Sequence, residues 1–214
     1  MSALETFNAF LAAYVWTFSD SHGTGVYASD FWDDSTVLET NSSGYDYNMK
    51  DRSLANNPIK LWDGSNIQTF AKGIGTHAGD RSNITFNIAD KGYKVFEAYA
   101  GVDNEGNENS SITFKVYVKK KGEDNFGTSP VYTSEELYHR TAMVPVVVDV
   151  RGVDKIKLVL DKGTSDANDH GDWANARFYT YARRKVTAVS DIPEHGSVSV
   201  RGTDGNYIAY GNIA

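Results

Sequence analysis

The chain has 214 residues, with 28 Asp and Glu against 21 Lys and Arg, a formal net charge of -7 and no cysteine. The length suffices for one well-buried core, whereas the acidity disfavours phosphate backbones and anionic membrane surfaces, so neither nucleic acid nor membrane insertion is expected. The missing cysteine excludes disulfides, thiolate metal sites and cysteine nucleophiles, while 13 Tyr, 10 Phe and 4 Trp, many in polar loops, suit flat amphipathic ligands.

The first basic residue is Lys50, so the seven acids from Glu5 to Asp46 account for the whole net charge. Near the start, LETFNAFLAAYVWTF sets Phe7, Phe10, Leu11, Tyr14 and Phe18 at helical spacing. This predicts a short packing helix or linker over residues 1–25, which lacks the charged start of a signal peptide and is too short to span a bilayer.

From residue 84 the period becomes two. NITFNI places Ile84, Phe86 and Ile88 on one face; SITFKVYV does so with Ile112, Phe114, Val116 and Val118; VVVDV with Val146, Val148 and Val150; KIKLVL with Ile156, Leu158 and Leu160. Each run is bounded by turn residues, and no helical period follows residue 84. The series predicts an all-β fold, an antiparallel β-sandwich. Strict alternation from Trp173 puts Ala174, Ala176 and Phe178 on the core face and Trp173 outward at the rim. Residues 184–214 alternate again around a turn at Asp204, Gly205 and Asn206, and read either as final strands or as the start of another domain.

The stretch DANDHGDWANARF concentrates carboxylates beside Trp173. A metal ion, a sugar, or a catalytic acid and base would each require such a knot. Asp166, Asn168 and Gly171 match the first, third and sixth positions of an EF-hand, but the twelfth is Arg177, so that motif is rejected. A calcium site of another kind, built from loop carbonyls and from Asp166, Asn168 or Asp169, stands beside the plainer reading of a solvated Asx turn.

Two further loops carry polar groups: GVDNEGNE with Asp103, Asn104 and Glu105, and GIGTHAGD with His77. A sugar needs donors and acceptors for vicinal hydroxyls and an aromatic plate for its C–H face. Asp103, Glu105 and Asp172 would accept, His77 and His170 would donate or accept, and Trp173 would be the plate. Glycoside hydrolysis would need a carboxylate pair about 5 to 10 Å apart across a cleft. The shallow rim of a small sandwich excludes water poorly, which favours binding over catalysis.

KGIGTHAGD, GYKVFEAYAGVDNE, SITFKVYV, VVVDVRGVDKIKLVL and NDHGDWANARF, in that order, resemble the NPCBM domain, the family 51 carbohydrate-binding module, over roughly residues 26 to 183. The resemblance implies a galactose-binding-domain-like jelly roll and a non-catalytic module of a secreted bacterial glycoside hydrolase. It implies a galactose-containing, possibly blood-group-type glycan as ligand, a catalytic domain in the same polypeptide as partner, and a structural calcium ion. Carried over by position, it marks His77, Asp103, Asp169, His170, Asp172 and Trp173, with Gly171 in place of the family's Ala, and sets Asn104 and Glu105 beside Asp103. The alternative expectation is a structural or adhesive spacer with a calcium-braced turn.

Overall fold

The computed structural model describes residues 25–164, 168–180, 196–201 and 207–213. The predicted N-terminal helix lies outside them; the helical piece that is described is a 3-10 turn, Ala28–Phe31. The chain divides into a compact unit over Gly25–Ala182 and a second comprising Met1–Thr24 and Arg183–Ala214.

In chain order the strands are β1 (Val26–Tyr27), β2 (Leu38–Ser42), β3 (Met49–Lys50), β4 (Ile59–Trp62), β5 (Ile67–Phe70), β6 (Gly73–His77), β7 (Asn83–Asn87) and β8 (Val95–Val102). They continue with β9 (Ser111–Lys120), β10 (Tyr132–Thr133), β11 (Leu137–Tyr138), β12 (Val144–Asp149), β13 (Val153–Lys162), β14 (His170–Tyr179), β15 (Gly196–Arg201) and β16 (Tyr207–Ile213). The last two form an antiparallel hairpin in the second unit.

The main unit is an antiparallel β-sandwich of two six-stranded sheets. The first runs β12-β8-β14-β6-β3 with β1 added to β14, and the second runs β10-β9-β13-β7-β2 with β11 added to β9. Period-two patterning positions the core: Ile84, Phe86, Ile112, Phe114, Val116, Val146, Ile156, Leu158 and Leu160 are all fully buried between the sheets. Their alternates, such as Lys115, Tyr117 and Lys157, face outward. The β4–β5 hairpin covers the outer face of the first sheet, where Ile59, Leu61 and Phe70 pack on Ala174, Tyr99 and Met143.

Strand β14 departs from the simple alternation. Its pairing with β8 shifts between Ala174 and Arg177, and Asn175 adopts a left-handed φ of 50°. This bulge inverts the side-chain order. Ala176 and Phe178 face the core after it, as alternation requires, but Trp173 faces the same core before it, while Ala174 turns outward beneath β4. Trp173 is fully buried, its ring 5.0 Å from Phe114 in an edge-to-face contact at 86°. Gly171 points into the same interior, where a Cβ would fall 2.7 Å from Leu160 Cδ2, which accounts for glycine in place of alanine.

Candidate functional site

Three turns meet at one edge of the first sheet. The end of β6 brings His77, the turn after β8 brings Asp103, Asn104 and Glu105, and the start of β14 brings His170. His77 and His170 are direct partners in the β6–β14 register. Their ring centroids lie 5.5 Å apart at 65°. Backbone bonds secure the meeting point, with Ala78 N–H donating to Asp169 O at 3.0 Å and Asp103 N–H to His170 O at 2.9 Å.

Each histidine has one nitrogen committed. His77 Nδ1 lies 2.7 Å from the Ala78 carbonyl, which only accepts, so Nδ1 carries the hydrogen. His170 Nδ1 lies 3.0 Å from Glu105 Oε1 and donates to it in the same way. Both rings therefore keep Nε2 for an external hydroxyl.

Glu105 is tied into the turns around it. Besides His170 it accepts from Ser53 Oγ at 2.7 Å, Ala55 N–H at 2.9 Å and Asn57 Nδ2 at 3.2 Å. Burial pushes its carboxyl up, but the bonds from His170, Ala55, Ser53 and Asn57 outweigh it and hold the group down at about 2. Asp103 is also internal: it is 2% exposed and accepts from the Lys60 and Glu105 amides, both at 2.9 Å. Asn104 contributes its backbone, donating N–H to Lys60 O at 2.8 Å.

Two expected contacts are thereby corrected. Trp173 is no plate, because the bulge at Asn175 turns its ring into the core. Asp172 is 0% exposed, beneath the site rather than on it. The aromatic ring at the rim belongs to Tyr45, 64% exposed and 5.8 Å from the His77 ring. It lines an open groove of about 830 Å³ together with Leu54, Ala55, His77, Arg81 and His170. The Tyr45 loop is fixed from below: Gly44 N–H donates to His77 O at 2.9 Å, and His77 N–H donates to Ser43 Oγ at 3.0 Å. Gly44 lies so close to the β6 turn that a Cβ would fall 2.2 Å from Ala78 O, so only glycine fits there. The sequence signal for this loop is NSSGYDYN, two tyrosines in an otherwise small and polar run.

Of the residues read as metal ligands, Asp166 lies outside the described residues. Asp169 is buried and accepts from Ser111 N–H at 2.8 Å, and the Asn168 carbonyl accepts from Ser110 Oγ at 2.6 Å. These bonds make a braced turn, and no group of three or more His, Asp or Glu converges as a metal cage among the described residues.

The family described as the NPCBM/NEW2 domain matches residues 28–179. Among curated proteins, the chain is 31% identical over 137 residues to a blood-group-substance endo-1,4-beta-galactosidase of Clostridium perfringens, covering 63% of the chain but 16% of that protein. Among solved structures, the CBM51 module of a Clostridium perfringens GH95 protein in complex with methyl-galactose is 31% identical with a TM-score of 0.62, covering 72% of this chain and 99% of that one. The CBM51-2 and INT domains of ZmpB from the same organism, with GlcNAc bound to CBM51-2, are 31% identical with a TM-score of 0.60, covering 72% of this chain and 31% of that one. The match spans 16% of the curated relative and 31% of the ZmpB fragment. Family and fold agree: this chain belongs to the NPCBM/NEW2 domain family and is a non-catalytic binding module homologous to the CBM51 carbohydrate-binding modules.

Proposed function

We propose that the module holds the non-reducing end of a glycan terminating in galactose or a related hexose, in the groove between Tyr45, His77 and His170. The observation that carries this reading is the pair of histidines, each with Nδ1 tied down, beside an exposed tyrosine face. Two adjacent Nε2 acceptors suit the hydroxyl groups of a hexose, and the Tyr45 ring suits its C–H face. Glu105 acts through His170 by fixing its ring. Methyl-galactose and GlcNAc in related modules are consistent with a single hexose as the recognised unit.

An open groove with few polar contacts gives weak affinity, on the order of 10 µM to 1 mM. Retention on a substrate then depends on multivalent surfaces and on a catalytic domain in the same polypeptide. A secreted glycan-degrading enzyme of bacterial origin is the setting proposed, because the curated relative is a bacterial endo-1,4-beta-galactosidase and a similar module comes from a Clostridium perfringens GH95 protein. A blood-group-type glycan is the natural first ligand, by way of the same curated relative.

A glycan array followed by calorimetric titration tests the proposal. Binding to galactose-terminated glycans, lost in His170→Ala while the variant remains folded by circular dichroism, is the expected result. Silence across the array rejects the reading and leaves the spacer. Running the array with and without chelator also tests calcium.

A further inference from the structure

Asp172 presents a chemical imbalance. Its side chain is 0% exposed, and neither Oδ meets an N–H or O–H donor among the described residues. A buried carboxylate without a donor is among the costliest groups a fold can hold. The surroundings show how the cost is avoided. Asp172 stands on the outer face of the first sheet, and its register neighbours on either side are glycines, Gly75 of β6 and Gly101 of β8. With no side chain at either position, a socket opens around the carboxyl. It is roofed by residues 52–61, because a Cβ on Gly75 would fall 2.3 Å from the Arg52 carbonyl oxygen, and one on Gly101 would fall 3.2 Å from Leu61 Cδ2.

Asp103 stands two residues beyond Gly101 and so on the same outer face as Asp172. Its backbone is bonded to His170 of the same strand as Asp172, and its Oδ2 takes the Lys60 amide of the roof, which brings the two carboxyls into one socket. Both Asp103 oxygens already accept from backbone amides, Oδ2 from Lys60 and Oδ1 from Glu105. Asp103 is thus the acceptor of the pair. Two carboxyl groups in contact away from water do not both ionise; one hydrogen between them converts repulsion into a charge-assisted bond.

We propose that Asp172 is a positioning residue, held as a neutral carboxylic acid whose O–H donates to the Asp103 carboxylate and clamps the 52–61 segment and the Glu105 turn onto the sheet beneath the site. From Asp103 the clamp reaches the amides of Lys60 and Glu105, and Glu105 in turn holds His170. Burial first, then the charge and hydrogen bond of Asp103 and the charge of Glu105, push the Asp172 carboxyl well above the ordinary carboxylate range, in agreement with the geometry. The titratable and charged groups on the elements packed around it are Asp103 and Glu105 after β8, Lys60 of β4, Arg52 of the roof, His170 of its own strand and His77 of β6. Only the effect on sugar affinity rests on the proposed function; the shared hydrogen does not.

The decisive measurement is carbon-13 NMR of wild-type protein labelled at the aspartate carboxyls. One carboxyl carbon is expected to keep its protonated chemical shift at pH 7 and to be missing from D172N. Absence of such a carbon in the wild type overturns the proposal. Stability gives a second readout. A group that binds its hydrogen more tightly when folded contributes stability at low pH and loses it as pH rises through the folded titration. The wild-type melting temperature is therefore expected to fall more steeply between pH 5 and 9 than that of D172N, whose amide still donates to Asp103; parallel slopes overturn the proposal. Calcium that raises the melting temperature of wild type but not of D172N also overturns it, by putting a cation where the hydrogen should be. Asp172→Leu, which has no donor, is expected to weaken galactoside binding at least tenfold. If the wild type binds no glycan yet shows the protonated carbon, the sugar reading fails while the shared hydrogen stands.

Discussion

Trp173 and Tyr45 lie on opposite sides of the solvent boundary. Trp173 is fully buried against Phe114, whereas Tyr45 is 64% exposed beside His77. The indole belongs to a regular strand whose bulge turns it inward. The phenol belongs to a loop pinned at Gly44 and carried over the edge of the sheet. The buried ring serves packing and the exposed ring belongs to the proposed sugar site, so a substitution in one should leave the property of the other intact.

Breaking the interior side gives the largest effect. Trp173→Ala removes the biggest side chain of the core and should destabilise the module by about 3–5 kcal/mol, read by chemical denaturation. Loss of glycan binding with undiminished stability in this variant would return the indole to the site. On the rim, Tyr45→Ala should weaken galactoside binding at least tenfold, about 1.4 kcal/mol, in a calorimetric titration, with a melting temperature close to that of the wild type.

The brace between the two regions has a pH signature. Glu105 is held down from 4.5 to about 2 in the folded chain, so the stability it supplies is present above about pH 4.5 and lost as pH falls through about 2. Melting temperatures of wild type and Glu105→Gln should differ at pH 6 and converge towards pH 2; a constant gap would show that the carboxylate charge is not what stabilises the turn. The smallest effect belongs to the outer face: Val147, 61% exposed on β12, should tolerate threonine within about 0.5 kcal/mol in the same denaturation assay.

Much of the fold was legible because strand burial writes itself as alternation. Ile112, Phe114, Val116 and Val118 are buried as a period of two requires, and so are Ile156, Leu158 and Leu160. The meeting of His77, Glu105 and His170 was also anticipated, since each stands at a strand end in a run of turn residues. Trp173 was misread for one reason: a single left-handed residue, Asn175, inserts an extra position and reverses every assignment before it. Tyr45 was overlooked because its loop has no period and no charge cluster.

The sequence by itself determined a β-sandwich, its core-facing residues outside the β14 bulge and the family, because these follow from side-chain period and from motifs in order along the chain. Tertiary structure alone decided which polar groups meet solvent. Asp103 and Asp172 have the same composition signal as Glu105, yet the roof of residues 52–61 and the glycines beside Asp172 bury them. Exposure at a rim depends on what crosses over it, and a crossing segment distant in the chain leaves no local pattern to read.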